Sequence, residues 1–189
     1  MKKSVKILLI VLAIIAVIAF PIIGTYNNLV SLEQKVDAAQ SNIDTQLQRR
    51  SDLIPNLVST VKGYATQEKD IFTDIANART KLAGASNVSD QATADGELSN
   101  ALSRLLVVVE KYPDLKSNEN FKDLSIQLEG TENRIAIARQ DYNTAVTNYN
   151  TKRRRFPSNI VSSLLGFEEK PLYKASAGAQ EVPKIYFTK

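Results

Sequence analysis

Seventeen consecutive apolar residues, Ile7 to Ile23 (ILLIVLAIIAVIAFPII), constrain this chain more than any other feature. No charged residue follows until Glu33. A run of this length sits at the short end for crossing a hydrocarbon core of about 30 Å, and Gly24 to Tyr26 can lengthen it. Inside lipid the backbone must satisfy its own hydrogen bonds, so the run is read as a helix. A cleaved signal peptide is the competing reading. It lacks an Ala-x-Ala site, and Val17-Ile18-Ala19, lodged within the apolar run, is a poor substitute, so a retained anchor is favoured. Lys2, Lys3 and Lys6 precede the span and no base follows closely. That asymmetry predicts a single pass with the N-terminus cytoplasmic and the remainder outside.

Composition then removes whole classes of chemistry. The chain has no Cys, His or Trp. Disulfides, thiolate nucleophiles, a lipid-bearing cysteine, Cys/His zinc sites and imidazole-based acid–base catalysis are excluded. The pI near 9.2 is a poor guide to partners. Three of the 24 basic residues precede the span while all 20 acids follow it, leaving the domain at about +1. No whole-domain positive field exists to attract nucleic acid, and no aromatic stacking platform lies on a basic groove. Neither a metal nor a cofactor is expected.

Beyond the anchor, apolar residues recur at three- and four-residue steps, the signature of amphipathic helices. Leu29, Leu32, Val36, Ala39, Ile43 and Leu47 form one stripe. Ser51 or Asp52 could cap a fresh helix with Pro55 in its first turn, so a break there is preferred to one kinked helix. The second stripe runs from Leu53 to Leu82, and Gly84 to Asp90 reads as a loop. A third helix spans about 91–111. Asn118 caps a fourth that runs to about Arg155, and a short apolar helix covers Ile160 to Leu165. The expected fold is all-α: an N-terminal transmembrane helix (residues 1–25), then an antiparallel four-helix bundle of up-and-down type (26–167). A loosely ordered tail (168–189) completes it, with Ile185-Tyr186-Phe187 its one strand-like stretch.

Several landmarks resemble the LemA family. They are Tyr26-Asn27-Asn28-Leu29-Val30, Gln46 to Val58 (QLQRRSDLIPNLV), Val61-Lys62-Gly63-Tyr64-Ala65, Tyr112-Pro113-Asp114-Leu115-Lys116 and Asn118-Glu119-Asn120-Phe121. Thr131 to Ile135, Tyr142-Asn143, Tyr149-Asn150, Phe156-Pro157-Ser158-Asn159 and Gly166-Phe167 continue the match in order over residues 26–187. Gln40 stands where that family often has an aromatic. The resemblance implies a single-pass bacterial membrane protein with an up-and-down helical bundle, and it supplies no biochemical activity.

Two constellations stand out from the apolar background. Arg50 falls seven positions beyond Ile43, where the stripe calls for an apolar residue; Glu132 and Arg139 interrupt the stripe Leu128, Ile135, Tyr142 in the same way. With Asp44 and Asp52 flanking Arg50, these five are expected to form a structural polar network that fixes helix register. The alternative is an envelope enzyme or accessory using carboxylates such as Asp44 and Glu132. Carboxylates beside arginines and without His are better neutralised than poised for proton transfer, so no enzyme is expected. The second constellation is Lys152-Arg153-Arg154-Arg155. Four alternating helices would return it to the membrane side, where bases meet anionic headgroups, with Phe156 and Ile160 to Phe167 as an interfacial segment. A solvated helix end is the other reading. The favoured function is a membrane-anchored interaction or scaffold module, in contact with lipid through its N-terminal helix and with an envelope protein partner.

Overall fold

A computed structural model describes residues 3–174. Six helices follow in order: α1 (Lys3–Lys62), α2 (Lys69–Ala83), α3 (Val88–Val109), α4 (Pro113–Ser117), α5 (Glu119–Arg154) and α6 (Ser158–Leu164). No strand occurs among the described residues, and Ile185 to Phe187 lie outside them. The chain divides into two compact units. One comprises the chain up to Ser41 with Asp141–Lys170; the other comprises Asn42–Gln140 with the chain from Pro171.

In the first unit, α1 carries the apolar run, whose described side chains are almost all exposed. It is the one helix among the described residues long and apolar enough to cross a membrane. A helix exposing apolar side chains all round suits lipid and not water. Past the span, Leu29 and Val36 turn inward, as do Tyr142, Val146 and Tyr149 of α5. Burial raises the phenol pKa of Tyr142 and Tyr149.

The expected break at Ser51 to Pro55 does not occur: α1 continues to Lys62. Proline in a helix interior frees a carbonyl one turn back and costs about 3 kcal/mol. Pro55 is exposed, so water can serve the freed carbonyl. Its neighbours Ile54, Leu57 and Val61 are fully buried and hold the helix in register. Ser51 caps nothing; its Oγ accepts from Arg79 Nε of α2 at 3.3 Å. The chain turns instead at Gly63 to Glu68, where Tyr64 and Ala65 donate back to the Val61 carbonyl. The reversal is displaced by about ten residues and not lost.

Contacts in the second unit give the directions of its helices. Lys62 lies over the Phe72 ring while Arg79 reaches Ser51, so α2 runs back along α1. Lys81 pairs with Glu97 and Arg104 with Asp74, so α3 runs against α2. Asn118 donates to Tyr64 Oη at 3.1 Å and Arg50 pairs with Glu132, so α5 runs against α1. One apolar core gathers Ile54, Leu57 and Val61, then Phe72 and Ile75, then Leu98, Leu102 and Leu105, with Leu115, Phe121 and Leu128. Helix α3 begins earlier than its sequence suggests because Asn87 caps it, accepting from the Asp90 N–H. Asn118 does the same for Phe121 at the head of α5, as expected. Pro157, and neither Ser158 nor Asn159, precedes α6.

Candidate functional site

The most polar locus in the second unit is also among its most buried. Arg50 on α1 is wholly inaccessible, and Asp95 on α3 nearly so. The Arg50 guanidinium pairs with the Asp95 carboxylate through Nη2 and with Glu132 of α5 through Nη1. Nη1 also donates to Ser99 Oγ at 3.0 Å, and Nη2 to the Asp95 carbonyl at 3.3 Å. Asp95 is shared: its second oxygen takes Arg139 of α5 and the Tyr173 hydroxyl at 3.0 Å. Arg139 also lies 3.9 Å from Glu132 and stands over the Tyr173 ring. Two guanidinium groups thus face two carboxylates, and the net charge of the cluster is zero.

Three elements converge because each carries ionic residues in its apolar stripe, one on α1, one on α3 and two on α5. Asp95 lies three residues before Leu98 and seven before Leu102, the positions that α3 turns to the core. Tyr173 arrives from outside any helix. Its phenol is pushed above its ordinary value by burial first and by the neighbouring Asp95 carboxylate second, which keeps it a donor.

Of the five residues expected to form the network, Arg50, Glu132 and Arg139 come together. Asp44 and Asp52 do not join them. Both are exposed; Asp44 accepts from Gln91 Nε2 and Asp52 from Gln48 Nε2. A helix explains the miss, since residues two or six positions from Arg50 point away from its face. Asp95, Ser99 and Tyr173 complete the cluster beyond the five expected residues. The rule that marks Arg50 marks Asp95 equally; Tyr173 has no periodic signal. Among the described residues no group of three or more acids could hold a metal ion.

The basic run lies in the first unit and is not uniformly free. Arg153 turns inward, donating from Nε to the Phe167 carbonyl at 2.8 Å, and both Arg153 and Arg154 approach Glu169 at 3.5 Å. The residues that follow are not loose as far as the description reaches. Tyr149 donates to the Glu168 carbonyl, and Asn150 exchanges two hydrogen bonds with the Lys170 backbone. Lys170 Nζ meets Glu33 at 2.9 Å, a hydrogen bond that raises the lysine pKa. Most of the expected loose tail, residues 175–189, lies outside the described residues.

Comparison with known proteins follows the same lines. The family model described as LemA family matches residues 39–187. "Magnetosome protein MamQ 2" of Paramagnetospirillum magneticum is 31% identical over 188 residues, covering 85% of this chain and 69% of the relative. "Magnetosome protein MamQ" of Magnetospirillum gryphiswaldense is 26% identical, over 85% of this chain and 70% of its own. "Protein LemA" of Metamycoplasma hominis is 25% identical, over 86% and 74%. None of these names is that of an enzyme, and together with the N-terminal apolar helix they fit a membrane protein.

Proposed function

The chain belongs to the LemA family, and on that premise we propose that it is a non-enzymatic scaffold of the bacterial envelope, anchored by α1 and offering a helical surface to a protein partner. The extracytoplasmic part is a four-helix up-and-down bundle of α1, α2, α3 and α5, supported by the antiparallel contacts and shared core of the second unit. One observation carries the non-catalytic reading. Buried Asp95 and half-exposed Glu132 are each held by an arginine, so neither is left as an acid or a base. Such a cluster serves helix register, because only one alignment of α1, α3 and α5 pairs all four charges. The enzyme alternative draws on carboxylates such as Asp44 and Glu132; Glu132 is held by Arg50, and Asp44 accepts from Gln91 Nε2.

Topology is expected to be N-in and C-out with the anchor retained, from Lys2, Lys3 and Lys6. Protease added to intact protoplasts should remove the domain, and a mature N-terminus near Phe20 would contradict the anchor. The scaffold reading is tested by photocrosslinking in living cells from exposed Val107, Ile126 and Ile137. A recurrent envelope protein partner is expected. Crosslinks to small molecules alone, with no protein adduct from any position, would sink the scaffold and favour the enzyme.

A further inference from the structure

We propose that α6, with Phe156 and Leu165, rests on the anionic surface of the same bilayer that α1 crosses, an inference that takes the anchored reading as its premise. Three observations within the first unit converge on it.

First, α6 leaves much of its apolar surface outside. Ser158, Val161 and Ser162 are buried, whereas Ile160 and Leu164 are exposed, one helical turn apart on one face. Phe156 and Leu164 are about four-fifths exposed, at 81% and 78%. Water alone would not favour two serines inside with Phe156, Ile160 and Leu164 outside. Ser162 Oγ lies within hydrogen-bond distance of the Arg153 and Asn159 carbonyls, so the inward polar face is built into the packing.

Second, the segment is fixed at the height where lipid ends. Tyr26 lies three residues past Ile23, about 5 Å further along the helix. Its ring packs edge-on against Phe167 at 5.8 Å. The Phe167 N–H bonds to the Ser162 carbonyl, which ties α6 to that level. Beyond Phe167 the chain moves outward again, since Lys170 pairs with Glu33, seven residues further along α1 than Tyr26. Tyrosine at this depth suits the headgroup region.

Third, the charge is of the right sign. Arg153 is turned inward, but Lys152, Arg154 and Arg155 stay at the helix end beside Phe156, with Arg154 mostly exposed. Bases flanking an apolar face form the composition of an interfacial segment, and each base near an anionic surface strengthens contact roughly fivefold. A bilayer is therefore the occupant that nearness to the span and charge both select.

The chain has no cysteine, so single labels are clean. Full-length Leu164→Cys, Ala38→Cys and Ile14→Cys would carry an environment-sensitive fluorophore in phosphatidylcholine–phosphatidylglycerol vesicles. Ala38 is exposed on α1, about 22 Å beyond Ile23. The Leu164 label should be quenched several-fold more by a nitroxide on a shallow lipid position than by aqueous iodide, and the Ala38 label the reverse. Arg154→Gln with Arg155→Gln should weaken the lipid quenching at Leu164, and vesicles of phosphatidylcholine alone should do the same. A Leu164 label that behaves like Ala38, or that is shielded from both quenchers because a protein covers it, overturns the proposal. The Ile14 label, read with a deep nitroxide, reports the anchor separately, so failure of the contact and failure of the span give different results.

Discussion

Asp95→Ala should lower the stability of the full chain by about 3–5 kcal/mol, because it removes the buried carboxylate that Arg50 and Arg139 share, and Arg50 is fully buried. Arg50 is inaccessible and Asp95 is 1% exposed, so neither has water to replace the other. The Tyr173 hydroxyl loses its acceptor as well. At roughly 2–4 °C per kcal/mol for a chain of this size, the midpoint should fall by about 10 °C. Arg50→Ala should do comparable damage by leaving Asp95 to Arg139 alone and opening a cavity. Glu132→Ala should cost only about 1 kcal/mol, since its side chain is 44% exposed and solvent can take its place beside Arg50. The double change Arg50→Met with Asp95→Leu removes one charge of each sign and leaves Arg139 to Glu132, which already lie 3.9 Å apart. It should recover most of the loss, as buried pairs replaced by apolar residues commonly do. Circular dichroism melts of the four variants in nanodiscs give the order. An Asp95→Ala protein that melts with the wild type but fails in the cell would mark the cluster as a site and not a register device.

That cluster shows where sequence reasoning succeeds and where it fails. The long N-terminal apolar helix is legible because a long uncharged run of such residues leaves few alternatives to a helix. The helices were legible because their apolar period survives in α1, α3 and α5 alike. Arg50 stood out against its stripe. Asp95 interrupts its own stripe equally, whereas Asp44 and Asp52 are near Arg50 only along the chain. Spacing on the helix surface, and not separation in sequence, decides which groups meet. Pro55 misled for a different reason. Its local penalty is real, yet three fully buried neighbours outweigh it. The turn at Gly63 to Glu68 carries one glycine and no proline, too weak a signal to place a reversal. The ordering of Glu168 to Lys170 was invisible in principle, since much of it runs through backbone groups that any residue would supply.

Tyr173 tests the ordered part of that segment most directly. Its side chain is 7% exposed, its hydroxyl donates to Asp95, and its ring lies under the Arg139 guanidinium, 5.4 Å from ring centre to cation. Tyr173→Ala removes the ring, the hydrogen bond and the cation–π contact together and should cost about 3 kcal/mol or more. Tyr173→Phe keeps the ring and removes only the donor; because Arg50 and Arg139 still satisfy Asp95, about 1 kcal/mol is expected. A pH series separates the two effects. The phenol pKa is raised in the folded state above its ordinary 10.0, so the neutral form is what folding favours. The contribution is therefore complete below about pH 10 and is lost as pH rises from there through the folded-state value. Wild type should lose stability relative to Tyr173→Phe between pH 10 and 11, with the difference constant from pH 7 to 9. If instead Tyr173→Ala melts within a degree or so of wild type at pH 7, the segment from Pro171 does not bind the cluster, and Asp95 is held by its two arginines alone.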